Sequence, residues 1–232
     1  MVDATTEVST EQGPARVHLT PAKGEPRGSL LLTHGAGGGI GGVDLVAIEA
    51  TLPQHGWQVV LVEMPWKVAG KKVAPMPPKL DAAWREIVPA VRGQLHERVV
   101  FGGRSAGARV SCRLAVEMGA AGVLALSFPL IPPGKGEEAS RIHELVLPVE
   151  AGLPVQVVQG ARDAFGSPAK VLSRLRRELG DRADEVLAEQ VRVDEAPGTH
   201  SFTDGDAVAS AVVGAERTAG VSARCWALRR SQ

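Results

Sequence analysis

Short apolar segments alternate with stretches of helical periodicity along most of this sequence, and no other feature restricts the possible fold as strongly. Apolar runs typical of buried strands occupy residues 29–33, 57–63, 98–102, 122–128, 154–159 and 190–193. Helical patterns cover residues 43–52, 80–95, 106–118, 168–179 and 206–220. Repeated alternation of this kind predicts an α/β fold with a mostly parallel central sheet and helices on both faces.

The two ends of the chain do not continue this alternation. Residues 1–25 are predicted to form an edge hairpin or an irregular segment, because residues 7–20 alternate weakly and are interrupted at Gly13-Pro14. Residues 221–232 carry no interpretable motif and are predicted to be a flexible tail. Since 232 residues suffice for one substantial domain and are few for two, we expect a single domain over residues 1–232.

Charge and composition exclude several classes of protein. The 26 Lys and Arg residues balance 26 Asp and Glu residues, so nucleic acid and anionic membranes are not expected as partners. The first 12 residues are polar, and no run of about 18 apolar residues occurs, which argues against a secretory signal and a membrane span. Cys112 and Cys225 are the only cysteines, so we expect a reducing, cytoplasmic location and no disulfide scaffold.

A candidate nucleophile follows the third predicted strand. The segment 103–107 reads Gly-Arg-Ser-Ala-Gly and leads directly into a predicted helix. G-x-S-x-G between a strand and a helix is the nucleophile elbow of the α/β-hydrolase fold, in which small residues allow a tight turn. The turn would expose the Ser105 hydroxyl and place the Ala106 N–H at a helix N-terminus, where it can stabilise an oxyanion.

A serine hydroxyl needs a base, and the order of residues along the chain selects one. In the α/β-hydrolase fold the order is serine, acid, histidine, with the histidine after the last strand. Only two of the six histidines follow Ser105, and His143 precedes the strand 154–159, which is too early. His200 lies just beyond the last predicted strand and is the predicted base.

The acid that orients this histidine should lie between Ser105 and His200. Asp163 follows the strand 154–159 immediately and is the predicted acid. Three other aspartates in the interval fit less well, two in a charged helical surface and one too close to His200 along its strand: Asp181, Asp184 and Asp194.

A glycine-rich turn after the strand 29–33 supplies candidates for a second oxyanion donor. It reads His-Gly-Ala-Gly-Gly-Gly over residues 34–39, and the N–H of Ala36 or Gly37 is the predicted donor. His34 is expected to brace this turn by hydrogen bonding rather than to act in catalysis.

Five motifs spread along the chain indicate a resemblance to a known family. HGAGGG, GGRSAGAR, FPLIPPGK, QGARDAFG and GTHSF, from about residue 31 to 202, resemble the dienelactone-hydrolase-related α/β-hydrolases, in particular the Tex30/KANSL3-like hydrolases. Arg104 and Arg109 match arginines of that group, whereas residues 106–108 are Ala-Gly-Ala where the group has Met-Gly-Gly. The resemblance implies the fold and the Ser-Asp-His triad and says little about the substrate.

The resemblance also bears on access to the site. Many relatives insert a cap domain between the strands 122–128 and 154–159, but only the 26 residues 129–154 lie there in this chain. We therefore expect no large cap and an open site. Two stretches without regular periodicity, 65–79 and 129–152, are expected to overhang it.

These residues together predict a serine hydrolase that cleaves a small ester or thioester through an acyl-enzyme intermediate. No cofactor is expected. Lys67 and Arg104 are candidates for binding a carboxylated or phosphorylated substrate, although a solvated lysine loop explains Lys67 as well.

Two alternatives remain open at this point. The segment 37–42 fits G-x-G-x-x-G between a strand and a helix, and Glu63 ends the next strand, which is the outline of a nicotinamide- or flavin-binding oxidoreductase. That interpretation leaves Ser105, Asp163 and His200 unexplained. The chain could also be a non-catalytic binding protein on the same scaffold. A metal site is not expected, because H-E-x-x-H, paired cysteines and histidine pairs at ligand spacing are absent from the sequence.

Overall fold

The computed structural model describes residues 4–217 of the 232-residue chain. The end of the predicted closing helix, residues 218–220, and the predicted tail, residues 221–232, lie outside this range. The strands are β1 (Ala4–Val8), β2 (Ala15–Thr20), β3 (Gly28–Thr33), β4 (Trp57–Glu63), β5 (Val99–Arg104), β6 (Gly122–Leu126), β7 (Val155–Gly160) and β8 (Val191–Ala196). The helices are α1 (Val43–Thr51), α2 (Pro65–Val68), α3 (Pro77–Val91), α4 (Ala106–Leu114), α5 (Ile142–Glu150), α6 (Pro168–Leu179), α7 (Ala183–Glu189) and α8 (Gly205–Arg217).

All eight strands of the described part belong to one sheet, in the order β1-β2-β4-β3-β5-β6-β7-β8. β1 pairs antiparallel with β2, and β2 pairs antiparallel with β4. Every other neighbouring pair is parallel. The predicted mostly parallel sheet is therefore confirmed, and β1 and β2 form an antiparallel hairpin at its edge. The carboxyl ends of the parallel strands lie at one edge of the sheet, where ligands of such folds bind.

Helices cover both faces of the sheet, as the buried strands predict. Along β3 the side chains alternate, so that Leu31 belongs to one hydrophobic core, whereas Leu30 and Leu32 belong to the other. The first core includes buried residues of α3, α4, α5, α6 and α7, and the second includes buried residues of α1 and α8. No residue of β3 is exposed, which explains why three leucines follow one another at its centre instead of alternating with polar residues.

The stretch 129–152 is predicted to be irregular, but the structure shows that it contains α5. Leu145 and Val149 are buried in the first core, and α5 packs against α4 and α6. Pro148 lies inside this nine-residue helix, and because proline is unfavourable in a helix interior, the sequence pattern did not indicate a helix here. Because α5 belongs to the helix layer, the chain between β6 and β7 adds no separate cap over the strand ends.

Smaller differences concern the other helices. α2 is a single turn within the stretch 65–79, which was predicted to be irregular, and α3 begins at Pro77 and ends at Val91, where a helix over residues 80–95 was predicted. α7 was not among the predicted helices. None of the helices in residues 4–217 is long and apolar enough to cross a membrane.

The start of α4 lies directly against the end of β3, and two glycines make this approach possible. A Cβ on Gly107 would lie 2.5 Å from the Thr33 carbonyl oxygen, and a Cβ on Gly103 would collide with the same atom. Both distances are shorter than van der Waals contact, so any side chain at either position would push α4 away from β3.

We therefore expect Gly107→Ala to lower the free energy of unfolding by about 1 to 3 kcal/mol, although alanine is the better helix former. Gly93→Ala is the matched control, because a Cβ there meets nothing within 4 Å and the residue has no positive φ. Chemical unfolding of both variants tests this. Equal stability of the two variants would show that α4 can shift away from β3 without cost.

Candidate active site

The turn between β5 and α4 holds Ser105 in a strained backbone conformation. Its φ is 53° and its ψ is −106°, a region that costs a non-glycine residue about 1 to 3 kcal/mol. Neighbouring backbone holds it in place, since its N–H donates to the Leu126 carbonyl (2.9 Å) and its carbonyl accepts from the Arg109 N–H (3.1 Å). The turn places Ser105 at the carboxyl end of β5 and Ala106 at the first position of α4.

The structure brings Ser105, His200 and Asp163 together from three separate parts of the chain. Ser105 Oγ lies 2.8 Å from His200 Nε2, and His200 Nδ1 lies 2.9 Å from Asp163 Oδ2. Because the carboxylate oxygen accepts from Nδ1, the neutral imidazole leaves Nε2 free to accept the proton of the serine hydroxyl. Asp163 follows β7 and His200 follows β8, so all three side chains lie at the carboxyl edge of the sheet.

The carboxylate of Asp163 is fully buried and fixed by two donors besides His200. The Phe165 N–H donates to Oδ1 at 2.8 Å, and Gln159 Nε2 donates to Oδ2 at 2.9 Å. The Phe165 ring also packs on the imidazole of His200, with 4.1 Å between the ring centroids. These contacts leave both the acid and the base little freedom to rotate.

Gln159 is a buried residue of β7 that the sequence analysis did not single out. Its Nε2 also donates to the Phe128 and Gly166 carbonyls, and its Oε1 accepts from the Phe128 N–H at 2.9 Å. It therefore links the ends of β6 and β7 to the loop of Asp163. A glutamine at the end of a fully buried strand was the available signal, since buried polar groups need partners.

The predicted oxyanion donors lie on the glycine-rich turn and directly after the nucleophile. A Cβ on Gly35 would lie 3.4 Å from Ser105 Cβ, so the glycine-rich turn directly contacts the nucleophile. Ala36 and Gly37 follow Gly35 in this turn and are exposed. Within residues 4–217, the N–H groups of Ala36, Gly37 and Ala106 donate no hydrogen bond. Unpaired donors beside a nucleophile are what a developing oxyanion requires.

His34 braces this turn, as predicted. It is fully buried, its Nδ1 donates to the Gly35 carbonyl (2.9 Å), and its Nε2 accepts from the Met64 N–H (3.1 Å). Because an acceptor nitrogen carries no proton, the ring is neutral. Burial lowers the pKa of His34, which favours the same neutral form. The ring therefore ties the end of β3 to the chain after β4.

The two predicted substrate-binding cations differ in their surroundings. Lys67, on α2, lies so close to the glycine-rich turn that a Cβ on Gly39 would be 3.0 Å from its Cε. Arg104 instead contacts the loop of the base: its Nη2 donates to the His200 carbonyl (3.1 Å) and to Ser201 Oγ (2.7 Å). Its Nε is 3.8 Å from the buried Asp44 carboxylate. These contacts do not indicate the substrate-binding role predicted for Arg104.

Residues 26–203 match a family model described as an alpha/beta hydrolase domain. The chain belongs to the alpha/beta hydrolase family. No curated protein matches the sequence significantly. The resemblance to the narrower Tex30/KANSL3-like group is not confirmed by these comparisons.

Solved structures of several hydrolases are similar to this fold. A serine hydrolase without a lid from Xanthomonas campestris is 16% identical, with a TM-score of 0.69 over 99% of this chain and 96% of that one. A serine hydrolase homologue from Coxiella burnetii is 15% identical, with a TM-score of 0.67 over 90% and 93%. The S-formylglutathione hydrolase of Staphylococcus aureus is 14% identical, with a TM-score of 0.61 over 91% and 94%. At these identities the likeness concerns the fold alone.

The glycine turn of this alpha/beta hydrolase is poorly suited to a dinucleotide. Asp44 lies in the first turn of α1, at the helix N-terminus that would have to receive a pyrophosphate, and it is fully buried. Oε2 of Glu63, the candidate ribose ligand, lies 3.8 Å from Nη1 of Arg16 on β2, so this carboxylate already has a cationic partner. In the described part of the chain, no group of three His, Cys, Asp or Glu residues could hold a metal ion.

The neutral state of His34 makes part of the stability depend on pH. The unfolded chain takes up a proton at the ordinary pKa of 6.5, whereas the buried ring resists it. The contribution is therefore complete above that pKa and is lost as the pH falls below it. We expect the free energy of unfolding to decrease less in His34→Gln than in the wild type between about pH 7.5 and 5.

Chemical unfolding at several pH values measures this difference. At the higher pH the variant should also be less stable by about 1 to 3 kcal/mol, because a flexible glutamine does not hold both hydrogen bonds in the fixed geometry of the ring. Identical pH slopes for the two proteins would show that His34 is not held neutral.

Proposed function

We propose that this alpha/beta hydrolase is a serine hydrolase that cleaves a carboxylic ester or thioester through an acyl-enzyme intermediate. The hydrogen-bonded series Ser105, His200 and Asp163, with distances of 2.8 and 2.9 Å, carries this proposal. It supports the roles of nucleophile, base and acid because each atom already has the partner that its role requires. The five motifs support a place among the dienelactone-hydrolase-related members of the family.

In the first step, Ser105 Oγ attacks the carbonyl carbon of the substrate while His200 Nε2 takes the hydroxyl proton. The imidazolium that forms then gives this proton to the leaving alcohol or thiol as the tetrahedral intermediate collapses. Asp163 keeps the proton on Nδ1 and stabilises the imidazolium through the 2.9 Å hydrogen bond. The product of this step is an ester between Ser105 and the acyl group.

The oxyanion of the tetrahedral intermediate would accept hydrogen bonds from the Ala106 N–H and from the N–H of Ala36 or Gly37. These backbone groups are fixed before the substrate arrives, so no reorganisation is needed when the charge develops. Loss of one such donor costs about 100- to 1,000-fold in kcat in other serine hydrolases. Backbone donors are not removed by side-chain changes, which fits the Ala-Gly-Ala sequence of residues 106–108.

In the second step, His200 removes a proton from a water molecule, which attacks the acyl carbon and releases the acid. The same Nε2 and the same backbone donors act again, because the second tetrahedral intermediate occupies the position of the first. No metal or redox cofactor enters either step. A small-molecule ester or thioester is therefore the proposed partner of this site.

Labelling with a fluorophosphonate probe tests the nucleophile. We expect the wild type to be labelled and Ser105→Ala to be unlabelled, while the exposed Ser173→Ala, the matched control, reacts as the wild type does. His200→Gln and Asp163→Asn should each lower kcat by roughly 1,000-fold or more. The first variant lacks the base that transfers the proton, and the second lacks the carboxylate that orients this base.

A panel of short-chain p-nitrophenyl esters and the corresponding thioesters gives these rates and the preferred leaving group. Labelling that persists in Ser105→Ala would contradict the assignment of the nucleophile. Folded wild-type protein that neither reacts with the probe nor hydrolyses any member of the panel would contradict a hydrolytic function and favour a binding protein.

Lys67 is our candidate for selecting a negatively charged substrate. Its side chain lies against Gly39 of the glycine-rich turn, and within residues 4–217 it forms no ion pair. A cation at the edge of an active site attracts anionic substrates and raises their rate of binding. Such attraction weakens as salt is added, because exposed charges are screened.

We expect Lys67→Met to raise KM for an ester with a free carboxylate by roughly 3- to 10-fold and to leave a neutral ester of the same length unaffected. Lys72→Met is the matched control, since Lys72 is an exposed lysine of the same segment. Steady-state kinetics at low and high salt measure the effect. An equal change for both esters, or equal effects of the two variants, would exclude this role for Lys67.

A further inference from the structure

Arg104 occupies an unusual position, directly before the proposed nucleophile and in contact with the proposed base. Its Nη2 donates to the His200 carbonyl and to Ser201 Oγ, at 3.1 and 2.7 Å. One guanidinium nitrogen therefore holds the backbone of the base and the side chain of the next residue. The side chain of Arg104 is only 19% exposed, so water competes poorly for these bonds.

The Nε of the same guanidinium lies near Asp44, whose side chain has no exposed surface. Arg104 Nε lies 3.8 Å from Asp44 Oδ2. Burial raises the pKa of Asp44, and the nearby positive charge of Arg104 opposes this shift. Neither carboxylate oxygen of Asp44 accepts a hydrogen bond within the described residues, so the charge of Arg104 is what offsets the cost of burying this group.

Gly42 provides the space for this pair. A Cβ on Gly42 would lie 2.7 Å from Asp44 Oδ1 and 3.5 Å from Arg104 Nη1. The end of the glycine-rich segment 37–42 thus has a structural reason to be glycine that does not involve a nucleotide. Since α1 begins directly after Gly42, the aspartate is carried by the helix that follows the predicted oxyanion turn.

The ion pair consequently connects three parts of the proposed machinery. Arg104 belongs to the strand end that carries Ser105, Asp44 belongs to the helix after the glycine-rich turn, and the contacted carbonyl belongs to the loop of His200. The far end of that loop has its own anchor, because Gly205 packs so closely on α1 that a Cβ there would lie 2.9 Å from Ala47 Cβ. Arg104 holds the part nearest the imidazole.

We propose that Arg104, oriented by Asp44, is a positioning residue that holds the loop 198–203 against the nucleophile turn and so keeps His200 within hydrogen-bond distance of Ser105. The catalytic consequence rests on the function proposed above, whereas the effect on the loop does not. A planar guanidinium suits this task, since it reaches two acceptors and a carboxylate at once, and a lysine ammonium lacks that fixed geometry. Arg104 would touch no substrate atom.

Hydrogen–deuterium exchange of the complete chain tests the hold on the loop. We expect faster exchange at the amides of residues 198–203 in Arg104→Met and Asp44→Asn, and an intermediate effect in Arg104→Lys. Arg162→Met is the matched control, because its exposed side chain lies on the residue whose N–H donates to the Gly198 carbonyl. Unchanged exchange in Arg104→Met would overturn the proposal.

Kinetics on a neutral and an anionic ester test the consequence for catalysis. Positioning predicts that kcat falls by roughly 10- to 100-fold for both esters in Arg104→Met, with little change in KM. Ser201→Ala removes only an exposed hydroxyl and should lower kcat by roughly 2- to 10-fold. This variant still tests the proposal if the arginine variants do not fold. A rise in KM for the anionic ester alone would overturn the proposal and make Arg104 a substrate ligand.

The two proposals fail in different ways. If the wild type shows no Ser105-dependent reaction with the fluorophosphonate, the proposed function is wrong, and the exchange of residues 198–203 still decides whether Arg104 holds the loop. If the wild type reacts and Arg104→Met has wild-type kcat for both esters, the function stands and the positioning role is wrong.

Discussion

The approach of the α4 N-terminus to the end of β3 is the contact on which the site depends. It brings the strained turn of Ser105 beside the glycine-rich turn, and it is possible only because Gly103 and Gly107 have no side chains to collide with the Thr33 carbonyl. If α4 were displaced outward, the Ala106 N–H and the serine hydroxyl would move away from the glycine-rich turn together. The backbone strain at Ser105 is thus maintained by packing around it rather than by the turn alone.

Polar side chains with little exposure then fix the turn and the loops whose positions the packing does not determine. His34 ties the glycine-rich turn to the chain after β4, Gln159 ties the loop of Asp163 to the ends of β6 and β7, and Arg104 ties the loop of His200 to α1. Each has several partners on different segments, which is how buried polar groups offset the cost of leaving water. The result is a set of donors and acceptors fixed in place around the partly buried Ser105 hydroxyl.

The sequence alone predicted most of the fold, because buried parallel strands and amphipathic helices have distinct periodicities. It missed α5, since Pro148 interrupts the pattern of a short helix whose stability comes from packing against α4 and α6. Asp163 and His200 could be chosen from chain order, since the fold fixes where each strand end lies. Asp44 could not be chosen, because nothing local distinguishes a buried partner from an ordinary polar residue, and the position of Gln159 at the end of a buried strand indicated a buried polar group but not its partner.

What the sequence determined by itself is therefore the alternation of strands and helices apart from α2, α5 and α7, the tight turn at Ser105 and the candidates for acid and base. These follow from periodicity, from glycine spacing and from position along the chain, which can all be read from neighbouring residues or from the order of segments in the sequence. Only the tertiary structure decided that Arg104 contacts the loop of His200 and that Lys67 lies against the glycine-rich turn. Both depend on distances between segments far apart in sequence, which are set by how helices pack on the sheet and not by any local pattern.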